Sequence, residues 1–128
     1  MAGSDPRRDK LRAIAERQGL VGALNDSKWQ GILDQLVPMH LPVRAKLISD
    51  NEISDWTVLG NVPSGYIEPV SIGPYLCLEI EWLEIRSETA GDLERVRKLL
   101  AEVNVRFSIS GNIMHMDAYL RSQATGSR

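Results

Sequence analysis

The sequence lacks the features that anchor a protein in a membrane or cross-link it. Its one cysteine, Cys77, excludes a disulfide bond within the chain. No apolar run approaches the roughly 18 residues of a membrane span. The first residues also lack the stretch of roughly 7–15 apolar residues that a secretory signal needs. We therefore expect a cytoplasmic protein that binds no membrane and is stabilised by an ordinary hydrophobic core.

Neither sign of charge dominates. The chain carries 15 Lys and Arg against 17 Asp and Glu, a net charge of −2. Proteins that bind nucleic acids usually present a basic face, and no long cluster of Lys and Arg occurs here. We expect no nucleic-acid partner. The length of 128 residues predicts a single domain over 1–128, with an ordered core over about 25–120 and a loose tail over 121–128.

Apolar residues at helical spacing predict three helices, over 6–18, 28–36 and 90–103. Each has a candidate start signal. Asp5 stands before a proline, Ser27 has a glutamine three residues later as in a capping box, and Thr89 precedes an acidic first turn. Within the third helix, Leu100 is expected to face the core.

The longest predicted strand covers 75–85, where apolar and polar residues alternate. The alternation predicts that one face turns to the core, with Leu76, Leu78, Ile80 and Trp82. Cys77, Glu79 and Glu81 would then lie on the other face. Because Leu83 and Ile85 are also apolar, we expect either a β-bulge near residues 82–83 or a strand end that is covered on both faces.

A C-terminal hairpin is predicted around the two-residue turn Gly111-Asn112. This register places the apolar pairs Ile109–Met114, Phe107–Met116 and Val105–Ala118 on one face. The opposite face would carry the pairs Ser108–His115 and Arg106–Asp117, the second an ion pair. A shift by one residue would scatter the apolar residues over both faces, so the register is well determined.

Together these elements predict an α+β fold in which helices pack on one face of an antiparallel sheet. A further strand is expected over 43–47. Between 49 and 74 turn residues dominate, and short extended pieces are expected near 56–59 and 66–68. The predicted order is α-α-β-(β-β)-β-α-β-β.

The polar face of the predicted sheet carries the candidate functional residues. Glu79 and Glu81 alternate on one strand, and His115 and Asp117 on another. If the strands are neighbours, four side chains of acid–base or metal-ligand type converge, although each can also simply face solvent. Trp56, in the turn-rich segment, either anchors a partner or is buried under its loop. We assign no catalytic residue, no metal ligand and no cofactor.

Several segments resemble a family of small bacterial proteins of unknown function. The similarity rests on the start of the second helix, a loop, the long strand and the C-terminal elements. The residues are Asn25-Asp26-Ser27-Lys28-Trp29, Ile53-Ser54-Asp55-Trp56, Glu79-Ile80-Glu81-Trp82-Leu83-Glu84-Ile85, and the order from Leu99-Leu100 to Asp117-Ala118-Tyr119. The resemblance covers about 25–120. It implies a bacterial source and a one-domain architecture, and it implies no activity.

Three functional hypotheses follow. The first is a small non-catalytic protein-binding module, of which an inhibitor or immunity-type protein is one form. Its candidate contact residues are those of the polar face and the loop, and grouped carboxylates there favour a partner with a basic surface. The second is a structural homodimer formed through the hairpin edge, the alternative to a monomer. The third is a small metal-dependent hydrolase that uses the polar face.

Overall fold

The computed structural model describes residues 6–60, 66–69 and 75–121. Its helices are Pro6–Arg17 (α1), Asp26–Leu36 (α2) and Ala90–Glu102 (α3), and short 3-10 turns cover Val37–Met39 and Cys77–Glu79. The strands are Leu20–Gly22 (β1), Val43–Leu47 (β2), Leu59–Gly60 (β3), Tyr66–Pro69 (β4), Tyr75–Leu76 (β5), Ile80–Arg86 (β6), Phe107–Ser110 (β7), Ile113–Asp117 (β8) and Tyr119–Arg121 (β9).

The strands form one central sheet and two small ones. The central sheet has four antiparallel strands in the order β2-β6-β8-β7. β1 pairs with β9, and β4 pairs with both β3 and β5. This architecture confirms the predicted α+β class with an antiparallel sheet. The predicted order lacks β1 and β9, which are too short to give a periodic pattern of their own, and it joins β5 and β6 into one strand.

Helices α2 and α3 cover one face of the central sheet. Their apolar stripes and the alternate residues of β2, β6 and β8 form one buried cluster. Its fully enclosed members include Ile32, Leu36, Val43, Leu83, Ile85, Val96, Leu100, Met114 and Met116. Burying a side chain of this size contributes about 1.5–3 kcal/mol, so this layer supplies most of the apolar stabilisation.

A second, smaller apolar cluster attaches α1 to the rest of the molecule. It contains Leu11, Ala15, Leu20, Ile48 and Leu76, all buried. The predicted helix 6–18 is confirmed as α1, although its proposed cap, Asp5, lies outside the described residues. Of the predicted tail over 121–128, residue 121 belongs to β9 and 122–128 lie outside the described residues.

The N-cap of α2 is Asn25, and the predicted capping box of Ser27 with Gln30 is wrong. The Asn25 side chain accepts a hydrogen bond from the backbone N–H of Lys28 at 2.8 Å. With this cap the helix begins two residues earlier than predicted, at Asp26. Asp26 therefore lies at the positive end of the helix dipole. At α3 the prediction is confirmed, since the Thr89 hydroxyl accepts from a backbone N–H in the first turn at 3.0 Å.

The predicted strand 75–85 is wrong in its first half. A 3-10 turn, Cys77–Glu79, separates β5 from β6, and the two strands belong to different sheets. The turn forms because the Glu79 carboxylate accepts a hydrogen bond from the Leu76 backbone N–H at 3.0 Å. It also turns Cys77 into the main core, where 1% of its surface is exposed, instead of onto the polar side.

A β-bulge at Glu81 changes which residues of β6 face the core. The register with β2 changes from Lys46 opposite Trp82 to Leu47 opposite Ile80, so Glu81 is the extra residue. The bulge lies one position before the predicted one. It lets Ile80 and Leu83 share the core face and turns Trp82 to the polar side, where the sequence pattern had placed it in the core.

The predicted hairpin register is confirmed. Phe107 lies opposite Met116, and Ile109 lies opposite Met114. A positive φ of 61° at Gly111 but not at the next residue matches the type II′ turn of a two-residue loop. However, β7 is an edge strand, so Phe107 is only half-buried and Ile109 is 42% exposed.

Candidate functional site

The sheet face opposite α2 and α3 carries the charged and aromatic side chains that alternate with the core residues. We call this surface the polar face. Its members on β2, β6 and β8 are Arg44, Lys46, Trp82, Glu84, Arg86, His115 and Asp117. The period of two along each strand places them there, because their neighbours Val43, Ala45, Leu83, Ile85, Met114 and Met116 are in the core.

A row of side-chain contacts crosses three strands of the polar face. Arg44 Nε donates to Glu84 Oε1 at 2.7 Å. The other carboxylate oxygen, Glu84 Oε2, lies 2.9 Å from His115 Nδ1. His115 Nε2 then lies 3.0 Å from Asp117 Oδ1. These side chains are 16–34% exposed, so the network is partly shielded from solvent.

This network changes the expected role of Asp117. Its carboxylate contacts His115, the residue two positions before it on the same face, and the expected ion pair with Arg106 is not among the salt bridges of the described residues. Arg106 contributes its backbone instead, because its carbonyl oxygen accepts from the Asp117 N–H at 3.0 Å. The cross-strand register of this pair is therefore as predicted, but the side-chain partner is different.

The geometry holds the His115 ring between two carboxylate groups. Each ring nitrogen already faces a carboxylate oxygen, one from Glu84 and one from Asp117. A general base needs one nitrogen within hydrogen-bond reach of the proton that it removes. With both nitrogens engaged, the ring acts as a bridge between two strands.

The electrostatics of Glu84 reflect this bridging. Burial acts to raise the pKa of its carboxyl group, but the hydrogen bonds with His115 and Arg44 outweigh that effect, and the pKa lies below its ordinary value. Glu84 is therefore held in its charged form between two partners.

Glu81 lies at the edge of the polar face, at the bulge of β6. Its Oε1 accepts from Lys46 Nζ at 2.6 Å, and its Oε2 lies 3.9 Å from Arg121 Nη2. Glu81 and Asp117 line the same cleft, which has a volume of about 250 Å³. The structure thus brings together three of the four predicted polar residues, Glu81, His115 and Asp117.

Glu79 does not join them, and its predicted position on the polar face is wrong. It belongs to the 3-10 turn before β6 and is 5% exposed. Arg7 Nη2, at the start of α1, donates to its carboxylate at 2.6 Å. Together with the hydrogen bond from the Leu76 N–H, this contact gives Glu79 a structural role away from the polar face.

Trp56 lies over the polar face and contacts two guanidinium groups. The Cζ atoms of Arg44 and Arg86 lie 4.6 Å and 4.7 Å from its ring centroid. Backbone hydrogen bonds orient it, since Thr57 and Val43 exchange N–H···O bonds at 2.7 and 2.8 Å. The indole is half-buried, so it is neither fully covered by its loop nor fully free.

Sequence reasoning missed five members of this surface: Arg44 and Lys46 on β2, and Trp82, Glu84 and Arg86 on β6. Trp82, Glu84 and Arg86 were not identified because the core-facing and polar-facing residues of β6 were assigned from the alternation in the first half of the strand. The signal was present in the apolar residues at positions 83 and 85, which place the residues between them on the opposite face. Arg44 was recognised as alternating with apolar neighbours, but nothing local indicates its contact with Trp56. Trp82 also packs on the His115 ring at a centroid distance of 5.0 Å.

The remaining reactive side chain, Cys77, is enclosed in the core. Burial, with a smaller contribution from Asp26, raises the pKa of its thiol to about 12. A thiol of this kind forms little thiolate near neutral pH, so it is a poor nucleophile. Within the described ranges no three His, Cys, Asp or Glu side chains are arranged to hold a metal ion.

Comparison with known proteins identifies the family. A model of a family of unknown function (DUF6678) matches residues 11–123. The chain belongs to this family. The resemblance to an uncharacterised family that its motifs indicated is thereby confirmed, and the family match also covers most of α1. No curated protein and no solved structure gives a significant match. In the part of the chain that the structure describes, no helix has the length and apolar character needed to cross a membrane.

Proposed function

We propose that this member of the family is a non-catalytic protein-binding domain that docks its partner on the polar face. The observation that carries the proposal is the contact of the Trp56 ring with the guanidinium groups of Arg44 and Arg86. Trp and Arg are the residue types most enriched among those that dominate binding energy at protein interfaces. Here both types meet on one half-buried surface.

The arrangement is ordered before any partner arrives. Trp56 is fixed by the backbone pairing of the next residue with β2, and Arg44 is held by both the indole and Glu84. Ordering a long side chain at an interface costs about 0.5–1.5 kcal/mol. A surface whose arginines are already immobilised avoids much of that cost, which supports its use in recognition.

The charges of the polar face favour an acidic group on the partner. The sequence alone suggested a basic partner, attracted by grouped carboxylates. However, Glu81 already has Lys46 as a counter-ion, and Glu84 has Arg44. Among the described residues Arg86 has no carboxylate within salt-bridge distance, so it is the cation of this surface that can accept a new one. The proposed partner therefore places a carboxylate beside Arg86.

The engagement of His115 supports a binding role over catalysis on the polar face. His115 has both ring nitrogens engaged, and Cys77 lies in the core. An inhibitor or immunity-type protein is one form that such a binding domain takes, and a nucleic-acid partner is not part of the proposal. A single cysteine, buried and unpaired, fits a reducing compartment, and we propose the cytoplasm as the location.

The test compares four immobilised baits in an extract of the native cells. They are the wild-type protein, Trp56→Ala, Arg86→Glu and the control Lys98→Glu. The control makes the same change of charge on α3, which packs on the opposite side of the sheet. We expect proteins that are retained by the wild type and by Lys98→Glu but lost on the other two baits.

Two outcomes contradict the proposal. One is that all four baits retain the same proteins, which would locate binding elsewhere. The other is that Arg86→Glu binds more strongly than the wild type, which would indicate a basic partner. Circular dichroism of each variant verifies that its fold is intact.

A further inference from the structure

We infer that β7 pairs with β7 of a second copy of the chain, so that two central sheets join into one continuous eight-stranded sheet. This inference concerns the edge of the sheet and does not depend on the function proposed for its polar face. Three observations support it. They are the β7 residues whose backbone N–H and C=O groups point away from the sheet, the exposed side chains of β7, and the contrast between the two edges of the sheet.

The two edges of the central sheet differ in their protection. Along β2, the chain's own loop covers the edge, with β-bridges from Val43 to Thr57 and from Lys46 to Ile53. Within the described residues, β7 pairs with β8 alone. Its four residues include no proline, no charged residue and no bulge, which are the usual means of preventing edge-to-edge association.

The outward backbone groups of β7 belong to Phe107 and Ile109. The Arg106 carbonyl oxygen accepts from the Asp117 N–H, so residue 106 directs its backbone groups towards β8. Because the direction alternates along an antiparallel strand, Ser108 and Ser110 also bond to β8. Phe107 and Ile109 then direct their N–H and C=O groups away from the sheet, where a further strand would pair with them.

Two copies of β7 can pair in antiparallel orientation through these groups when a two-fold axis passes beside Ser108. Phe107 then lies opposite Ile109 of the second copy, and Ile109 lies opposite its Phe107. Both are hydrogen-bonded pairs, and each exchanges two N–H···O bonds. Ser108 lies opposite its own symmetry mate in a pair without hydrogen bonds. A symmetric dimer repeats each contact twice, as an isologous interface requires.

The side chains suit this register. Ile109 is 42% exposed and Phe107 is half-buried, and the pairing places each apolar side chain against the other type across the axis. The nearest charge, Arg106, lies opposite Ser110 of the second copy. The two Arg106 residues are then four positions apart, about 14 Å along the strands, where salt screens their repulsion. The interface is small, so the dimer is a weak one that depends on protein concentration.

Cysteine cross-linking tests the register directly. Ser108→Cys places two thiols opposite each other in the pair without hydrogen bonds, at a Cα separation of about 4.5 Å that permits a disulfide. The matched control is Ser110→Cys, which is exposed on the same strand and the same face. Its Cα atoms would lie about 14 Å apart, beyond disulfide reach. The native Cys77 is buried and does not compete.

Under mild oxidation by oxidised glutathione, we expect Ser108→Cys to form a disulfide-linked dimer several times faster than Ser110→Cys. Equal rates for the two variants, or no cross-link in Ser108→Cys, would overturn the inference. Sedimentation equilibrium gives an independent measurement on unmodified protein. The average mass should rise above 14.3 kDa with increasing concentration for the wild type and remain there for Ile109→Lys. A wild type that stays at the monomer mass throughout also overturns it.

Discussion

The Glu79 carboxylate joins two parts of the chain that are far apart in sequence. One contact is local, the hydrogen bond from the Leu76 N–H at 3.0 Å that closes the turn before β6. The other comes from Arg7 Nη2 at 2.6 Å, at the start of α1. Glu79 is almost fully buried, whereas the Arg7 side chain is 61% exposed. The two partners should therefore respond very differently to substitution.

We expect Glu79→Ala to lower the free energy of unfolding by about 1–3 kcal/mol, because it leaves the buried Leu76 N–H without an acceptor. Arg7→Ala should cost at most about 1 kcal/mol, since an exposed cation contributes little to an ion pair. Urea denaturation followed by circular dichroism measures both. Equal losses in the two variants would show that the turn does not depend on the Glu79 hydrogen bond.

The start of α2 gives a second prediction. Asn25→Ala removes the side chain that caps the helix and should cost about 0.5–2 kcal/mol. Ser27→Ala changes a residue inside the first turn, where alanine is a better helix former, and should alter stability by less than about 0.5 kcal/mol. Thermal unfolding distinguishes them. A larger loss for Ser27→Ala than for Asn25→Ala would indicate that Ser27 caps the helix, as the sequence suggested.

Substitutions at core and edge positions should also differ in how much they lower the free energy of unfolding. Leu100 is completely enclosed, and Leu100→Ala should cost about 2–5 kcal/mol. Phe107 lies on the apolar face of the predicted hairpin, a position that by itself predicts similar burial. As a half-buried residue of an edge strand, it should lose less than the roughly 3–5 kcal/mol typical of a core Phe→Ala change. Chemical denaturation measures the difference, and a loss for Phe107→Ala as large as that for Leu100→Ala would contradict the edge assignment.

The features that sequence could predict are those that local patterns determine. The hairpin was predictable to its register because a two-residue turn and an alternating pattern agree within fifteen residues of chain. The turn at Cys77–Glu79 was not, because an alternating apolar pattern does not reveal that a carboxylate will bond to a backbone N–H three residues earlier. That error assigned Glu79 to the wrong surface.

The candidate site was only partly predictable for a related reason. His115 and Asp117 were found from their alternation on β8, but their partner Glu84 depends on the register between β6 and β8. The position of Trp56 depends on Arg44 and Arg86, which come from two other strands. Contacts across several strands are set by the tertiary fold, and no spacing along the chain encodes them.

The last prediction concerns the pH dependence of the contacts that Glu84 makes on the polar face. The pKa of Glu84 is lowered in the folded protein: burial alone would raise it, but hydrogen bonds with His115 and Arg44 outweigh burial. A carboxyl group with a depressed pKa stabilises the fold fully above its ordinary pKa of about 4.5, and the contribution is lost as the pH falls through the lower, folded value.

Glu84→Gln cannot titrate. Its deficit relative to the wild type should therefore be largest near neutral pH and should shrink as the pH falls below the ordinary value. Leu100→Ala, which changes no titrating group, provides the control, because its deficit should stay nearly constant. Urea denaturation at a series of pH values measures both. A Glu84→Gln deficit that is constant, or that grows in acid, would contradict the proposed hydrogen bonds.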